Sequence, residues 1–370
     1  MTLLADGLVC TSSPQSALRT ERRYAVVATP ANPLSLEGGA HLAAVTLCYE
    51  SWGTLSATGE NAILICHALT GDAHAAGRYS PDDRKPGWWD AAIGPGKAID
   101  TDRFFVLCTN VLGGCQGSTG PASLNPATGE PWGPDFPAVT VRDMVTAQAR
   151  LLDQLGITQL HAVVGGSLGA MQALEWATTY PERVARVVAI GGAGRFHPQG
   201  IAFNAVQRQA ILQDPDYQGG RYYGTAGPVH GLATARMLGM VTYRSDASMW
   251  AQFGREQRPG APQVARPDEV AYQVESYLQY QGQALVDRFD ANSYLYLSRA
   301  MDLMDLGRGR ESYEGAHARI QAKLLAIGIA SDLLFPPYLQ RETVELVNAA
   351  GGEARYVEMT SMWGHDAFLV

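Results

Sequence analysis

Cysteine is scarce in this sequence, and its distribution argues against two classes of site. The five cysteines all lie in the first third of the 370 residues, and no two of them have C-x-x-C spacing. An odd number of cysteines is a poor basis for a disulfide framework. The eight histidines form neither an H-E-x-x-H motif nor a cluster with cysteine. We therefore expect reduced thiols and no metal site.

Basic residues and long apolar runs are also few. Lys and Arg total 28 against 36 Asp and Glu, and the resulting net charge of −8 disfavours nonspecific binding to nucleic acid. No apolar run approaches the roughly 18 residues that a membrane span needs. The first six residues, Met1–Asp6, lack the basic start and apolar stretch of a secretion signal. These absences predict a cytoplasmic protein that binds neither nucleic acid nor membranes.

Hydrophobic residues make up 46% of the chain, so it can bury a large core. Short apolar runs alternate with helical patterns, of which the clearest begins at the cap residue Thr140 and stops at Gly156. This succession of strand, helix and strand is typical of an α/β protein with a mostly parallel sheet. The runs that predict strands are Val45–Tyr49, Ile63–Cys66, Phe104–Cys108, Leu160–Val164, Val187–Ile190, Leu324–Ala330 and Ala354–Met359.

Changes in this succession of predicted strands and helices divide the chain into three parts. Residues 1–32, rich in Ser, Thr and Pro, predict an irregular N-terminal arm. Residues 33–193 and 319–370 form the predicted α/β core. Between them, residues 194–318 replace apolar strands with short helical patterns rich in Gln, Tyr and Arg, which predicts an inserted helical lid.

One short motif in the core predicts a nucleophile. Gly165-Gly-Ser-Leu-Gly169 fits the pattern G-x-S-x-G and lies between a predicted strand and a predicted helix. A strand that enters a helix through so tight a turn strains the serine backbone and exposes its hydroxyl at the helix N-terminus. In a chain with 40 glycines the pattern alone is weak, but in this context it favours Ser167 as a nucleophile over a mere cluster of glycines.

A serine needs a base to remove its proton, and the base needs an orienting acid. His365, beyond the last predicted strand, is the candidate base, and Asp332, at the end of an earlier strand, is the candidate acid. The order Ser167, Asp332, His365 is the chain order of the α/β-hydrolase triad. Taken singly, the acid and the histidine are more often simple surface residues.

The negative oxygen that forms during acyl transfer needs two N–H donors. The backbone N–H of Leu168, directly after the nucleophile, is one candidate. Leu69, in the loop after the strand Ile63–Cys66, is the other. His67 in the same loop is interpreted as a structural hydrogen-bonding residue rather than a second base.

Several long segments together resemble the homoserine O-acetyltransferase family, acyltransferases with an α/β-hydrolase fold. The similarity extends from about Tyr49 to Phe368. It is clearest in His67–His74, Asn110–Pro121, Gly165–Trp176, Phe289–Tyr296 and Gly364–Phe368. The resemblance implies acyl transfer from acetyl-CoA, as a co-substrate, to the side-chain hydroxyl of L-homoserine in methionine biosynthesis, with no bound cofactor. It also implies a homodimer and assigns Ser167, Asp332 and His365 to the triad.

The same resemblance implies two residues that bind the amino acid. Arg236 would bind the carboxylate and Asp366 the ammonium of the acceptor, which suits a zwitterion. We expect a ping-pong mechanism through an acyl-enzyme. Three alternatives stay open at this point: a donor such as succinyl-CoA, serine as the acceptor, or an ester hydrolase that uses the same triad. A non-catalytic member of the fold is disfavoured because all three triad residues are present.

Overall fold

The computed structural model describes residues 18–370, so Met1–Asp6 and Cys10 lie outside the described residues. An eight-stranded sheet forms the centre of the molecule. We number its strands β1 (Arg23–Ala28), β2 (Val45–Trp52), β3 (Ala62–Cys66), β4 (Phe105–Thr109), β5 (Leu160–Gly166), β6 (Arg186–Ile190), β7 (Lys323–Ile329) and β8 (Ala354–Met359). Their order across the sheet is β1-β2-β4-β3-β5-β6-β7-β8. Two further pairs of two-residue strands join Leu34–Ser35 to His41–Leu42 and Ile93–Gly94 to Ile99–Asp100.

The sheet is mostly parallel, which confirms the predicted fold class. Strands β3 to β8 run parallel to one another, whereas β2 is antiparallel to both β1 and β4. All five residues of β3 are buried, as are four of the five in β4. Such continuously apolar strands are stable here because helices and loops cover both faces of the sheet.

The prediction of an irregular arm over residues 1–32 is wrong for its last part. β1, from Arg23 to Ala28, pairs antiparallel with β2 at one edge of the sheet. Tyr24 and Val26 are 59% and 54% exposed, whereas Val27 is buried. Because apolar residues occupy both faces of this edge strand, the sequence lacks the alternation of polar and apolar residues that marks a half-buried strand. The sheet therefore begins ten residues before the predicted core.

Three helices of the core lie against the sheet: α1 (Val141–Gln154), α2 (Leu168–Thr179) and α9 (Tyr338–Ala349). The start of α1 is a capping box, in which the Thr140 and Asp143 side chains each accept the other residue's backbone N–H. A buried polar contact joins α1 to α2, since the Gln148 amide donates to the Gln172 side-chain oxygen over 2.8 Å. This second contact holds the first half of α2 against α1.

Between β6 and β7 the chain forms six α-helices and a short 3-10 helix, Pro215–Gly220. The α-helices are α3 (Pro198–Leu212), α4 (Val229–Tyr243), α5 (Asp246–Phe253), α6 (Gln273–Val286), α7 (Ala291–Asp302) and α8 (Tyr313–Ala318). They lie within the span of the predicted lid insertion. Helix α4 packs between α3 and α6 and also contacts the C-terminal turn Gly364–Leu369. The insertion therefore lies over the edge of the sheet where β7 and β8 end. Within residues 18–370, none of the helices is long and apolar enough to cross a membrane.

Candidate active site

A single residue makes the turn from β5 into α2. β5 ends at Gly166 and α2 begins at Leu168, so Ser167 alone reverses the chain. Its φ of 59° and ψ of −123° lie in a region that residues with a side chain rarely adopt. Its N–H donates to the Ile190 carbonyl of β6 over 2.9 Å, which anchors the strained residue. The N-terminus of α2 follows directly, and its unpaired N–H groups favour negative charge nearby.

The glycines of this turn are required by close backbone contacts. A Cβ atom on Gly165 would overlap the carbonyl group of Gly169. A Cβ atom on Gly169 would overlap the carbonyl oxygen of Cys66, at the end of β3. The strand and the helix therefore approach each other through bare backbone, and this approach fixes the position of Ser167.

We expect Gly169→Ala to destabilise the protein by at least about 2 kcal/mol, because the obstructing atom is a backbone oxygen that cannot rotate away. Urea unfolding of the purified variant measures this change. Gly38→Ala is the matched control, since a Cβ atom there has no neighbour within 4 Å and should change stability by about 0.5 kcal/mol or less. Equal stability of the two variants would show that the turn is not tightly packed.

The candidate acid and base form a buried pair. Asp332 follows β7, and His365 lies in the turn after β8. The imidazole Nδ1 is 2.7 Å from Oδ2 of Asp332, and both side chains are at most 4% exposed. The other carboxylate oxygen accepts the backbone N–H groups of Leu334 and Phe335, each over 2.8 Å. Because the carboxylate can only accept, Nδ1 carries the proton, and Nε2 of the neutral ring is left as a base.

The surroundings of His365 fix its ring and adjust its basicity. The ring of Phe335 stacks on the imidazole at a centroid distance of 5.3 Å, and Phe368 meets it edge-on at 5.5 Å. Burial by itself lowers the pKa of His365. The charge and hydrogen bond of Asp332, together with the charge of Asp366, outweigh burial, so the pKa lies above its ordinary value.

Ser167 and His365 line the same cavity, but they do not share a hydrogen bond in this structure. Nε2 of His365 is buried and has no hydrogen-bond partner among residues 18–370. In enzymes without bound substrate the hydrogen bond between nucleophile and base is commonly long, and it tightens when substrate binds. The structure therefore brings the three predicted residues together, with one of the two hydrogen bonds of the triad formed.

The two candidate oxyanion donors belong to the cavity wall and to the residue after the nucleophile. Leu69 lines the cavity, and Leu168 directly follows Ser167. Neither backbone N–H donates to another atom within residues 18–370. His67 braces the loop of Leu69: its Nδ1 lies 2.7 Å from the Ala68 carbonyl, and its Nε2 accepts the N–H of Val111. Burial lowers the pKa of His67, so its ring is neutral and structural rather than a second base.

The cavity has a volume of about 570 Å³ and also contains the two residues implied to bind an amino acid. Arg236 extends from α4, with its guanidinium carbon 5.7 Å from the centre of the Tyr243 ring. Asp366 is the neighbour of His365 in the C-terminal turn. Burial raises the pKa of Asp366, and this effect exceeds the opposing influence of His365, Arg236 and the nearby Arg244. The cavity thus places a cation and an acid close to the serine.

Four further acidic or basic side chains of the cavity wall were not identified as site residues from the sequence. They are Asp72, His74, Lys85 and Arg288. Arg288 lies between α6 and α7, and no motif in the sequence distinguishes it. His74 is held by Glu50, a carboxylate with no solvent exposure, whose Oε2 lies 3.0 Å from Nδ1 of the imidazole. The only sequence signal for His74 was its place in a segment that resembles a known family.

The arrangement suits covalent acyl transfer. It contains a strained serine at a helix N-terminus, an imidazole oriented by a buried carboxylate and two unpaired N–H groups near the serine. These are the groups that acyl transfer through a serine ester requires. Within residues 18–370 the structure contains no cluster of three His, Cys, Asp or Glu side chains that could hold a metal ion.

Comparisons with known sequences place these residues in context. The family model for the alpha/beta hydrolase fold matches residues 61–370. A homoserine O-acetyltransferase of Symbiobacterium thermophilum is 73% identical over 359 residues, which cover 97% of this chain and 94% of that protein. A homoserine O-succinyltransferase of Halothiobacillus neapolitanus is 54% identical and aligns over 91% of this chain and 84% of its own length.

Solved structures with the same fold include a protein named as a transferase and one named as an esterase. A homoserine O-acetyltransferase from Bacillus anthracis superposes with a TM-score of 0.88 at 32% identity, covering 95% of this chain and 94% of that chain. Esterase E22 superposes with a TM-score of 0.87 at 34% identity, covering 95% and 96% of the two chains. Proteins named as transferases and as an esterase therefore share this architecture.

Proposed function

Because this chain belongs to the homoserine O-acetyltransferase family of α/β-hydrolase-fold acyltransferases, we propose that it transfers an acetyl group from acetyl-CoA to the side-chain hydroxyl of L-homoserine. The observation that supports this most directly is the cavity in which Ser167 and His365 lie together with Arg236 and Asp366. Of these four residues, a hydrolase needs only Ser167 and His365. The guanidinium and the carboxyl group match the carboxylate and the ammonium of an amino-acid acceptor.

In the first half of the proposed reaction, Ser167 is acylated. Nε2 of His365 takes the proton of the serine hydroxyl as its oxygen attacks the thioester carbonyl. The N–H groups of Leu69 and Leu168 donate to the resulting oxyanion, and Asp332 stabilises the imidazolium. The carbon–sulfur bond then breaks, the coenzyme A thiolate takes the proton from His365, and the acyl group remains as a serine ester.

In the second half, the acceptor replaces coenzyme A. Arg236 and Asp366 bind its carboxylate and ammonium and direct the side-chain hydroxyl towards the ester. His365 takes the hydroxyl proton as the oxygen attacks, and it returns this proton to Ser167 when the serine ester breaks. The products are O-acetyl-L-homoserine and free enzyme, so the two substrates react in alternation as a ping-pong mechanism requires.

Ester hydrolysis is the second candidate function, and the similarity to esterase E22 favours it. Fold and triad do not by themselves choose between water and an alcohol as the acceptor. The identity of the acyl group is a separate question, because a relative at 54% identity is named homoserine O-succinyltransferase. Serine as an alternative acceptor would use the same two binding residues.

One competition experiment tests these choices. The purified protein is incubated with equal concentrations of acetyl-CoA and succinyl-CoA, with homoserine, with serine, with both or with neither. Mass spectrometry identifies the products, and a thiol reagent measures the release of coenzyme A. We expect O-acetylhomoserine as the main product and little thiol release without an acceptor. Thiol release that does not depend on the acceptor would identify a hydrolase, and O-succinylhomoserine would overturn the proposed donor.

A further inference from the structure

Arg288 connects the insertion to the loop that contains a candidate oxyanion donor. It lies between α6 and α7 and lines the cavity with Ser167. Its Nη1 donates to the carbonyl oxygen of Thr70 over 2.7 Å, one residue beyond Leu69. The Arg288 carbonyl in turn accepts the side-chain amide of Gln116 over 2.5 Å. The backbone and one edge of the guanidinium are therefore fixed, and the other edge has no hydrogen-bond acceptor within residues 18–370.

The charge of Arg288 is not neutralised by a neighbouring carboxylate. Among the residues that the structure describes, no carboxylate oxygen lies within ion-pair distance of its guanidinium, and the nearby Asp72 influences it only at longer range. Burial lowers the pKa of Arg288, and the positive charge of Arg236 lowers it further. Arg288 is nevertheless exposed to the open cavity, and Arg236 lines the same wall, so two positive charges there favour the binding of an anion.

The acceptor does not supply this anion. Homoserine has one carboxylate and one ammonium, and the proposed function assigns them to Arg236 and Asp366. The reacting thioester carbonyl has no charge. Any further anion must therefore enter with the acyl donor, either on coenzyme A or at the far end of the acyl group.

Resting on the proposed function, we propose that Arg288 binds an anionic group of the acyl donor. A phosphate of coenzyme A and the terminal carboxylate of a dicarboxylic acyl chain share the chemistry that a guanidinium recognises, namely planar pairs of anionic oxygens. The hydrogen bond to Thr70 orients the guanidinium for this role, because it leaves the opposite edge to meet the donor.

A different role for Arg288 makes distinct predictions. If the residue acts only through the Thr70 carbonyl, it positions the loop of Leu69 and affects every acyl donor equally. An uncharged donor separates the two roles, because it uses the oxyanion donors but offers no anion to the guanidinium.

The test compares Arg288→Met and Arg288→Lys with the unmodified protein. Three donors are used: acetyl-CoA, succinyl-CoA and S-acetyl-N-acetylcysteamine, a thioester without phosphates. Acylation of Ser167 is followed by intact-mass spectrometry and thiol release, both without an acceptor, so the result does not depend on homoserine. Turnover with homoserine is measured in parallel. Arg299→Met, an exposed arginine of α7 that lines a different cavity, is the matched control.

Binding of a phosphate predicts that Arg288→Met loses about tenfold or more in kcat/KM with both coenzyme A donors relative to the truncated thioester. Binding of an acyl carboxylate predicts a similar loss with succinyl-CoA relative to acetyl-CoA. In either case Arg288→Lys recovers part of the loss because the charge is kept. Equal losses with all three donors, or no loss with any, would overturn the assignment of Arg288. Failure of the unmodified protein to transfer an acyl group to homoserine would instead overturn the proposed function.

Discussion

Ser167→Ala is expected to abolish the acyl-enzyme and to lower turnover by about 10⁴-fold or more, since no other group can take the place of the attacking oxygen. The turn itself should survive, because alanine is smaller than serine and the φ of 59° is imposed by the surrounding backbone contacts. After incubation with acetyl-CoA, intact-mass spectrometry should show one added acetyl group on the unmodified protein and none on the variant. Peptide mapping should place that group on Ser167.

Two control variants make this result specific. Ser56→Ala removes a serine hydroxyl whose one side-chain hydrogen bond among residues 18–370 is to Thr58 at the surface, and this variant should acylate normally. Cys115 is the other nucleophilic residue in a glycine-rich loop, but burial raises the pKa of its thiol to about 11, so it is protonated at neutral pH. Cys115→Ala should therefore keep the acetyl group on Ser167. An acetyl group on the Ser167→Ala variant, or an acetyl group found on Cys115, would contradict the assignment of Ser167 as the nucleophile.

The nucleophile turn shows what local sequence can predict. Strand β5, the glycines around Ser167 and the start of α2 all follow from residues that are adjacent in the chain. Glycine was needed where backbone approaches backbone, and the structure places Gly165 and Gly169 at such contacts. The pairing of Asp332 with His365 was predicted from chain order, and it works because the ends of parallel strands meet at one edge of the sheet.

Three other features that depend on contacts between distant segments were not predicted. β1 is an edge strand whose two faces both carry apolar residues, so no alternation revealed it. The pair of Glu50 and His74 joins a strand to a loop 24 residues away, and nothing in either segment indicates a buried carboxylate. Arg288 became notable only when the fold placed it opposite Thr70, which is 218 residues away in the chain.

The lid insertion was predicted only as a region. Its helical patterns could be recognised because they interrupt the series of predicted strands. The packing of these helices could not, because it depends on contacts of α4 with α6 and with the C-terminal turn. Arg236 enters the cavity from this helix. Its proposed role came from resemblance, because the residues around it show no feature that distinguishes a ligand-binding arginine from a solvated one.

Asp332→Asn should lower kcat by about 10⁴-fold and also change the pH dependence of the remaining activity. The amide cannot hold the imidazole in the tautomer with a proton on Nδ1 as strongly as the carboxylate does. Loss of the negative charge also removes the main influence that raises the pKa of His365, while burial, which lowers it, stays. Since only the neutral imidazole accepts the serine proton, activity falls as the pH drops through this pKa.

The informative measurement is therefore the fall of kcat/KM on the acidic side of its pH profile. In the unmodified protein, kcat/KM should reach half of its maximum above pH 6.5, the ordinary value for histidine. In Asp332→Asn the half-maximum should move below that value, so the variant is slow but relatively insensitive to mild acid. Asp82→Asn, at an exposed acid that does not line the cavity, should leave both rate and midpoint unchanged. A variant with full activity, or one whose acidic limb moves to higher pH, would show that Asp332 does not orient and charge-stabilise His365 during the reaction.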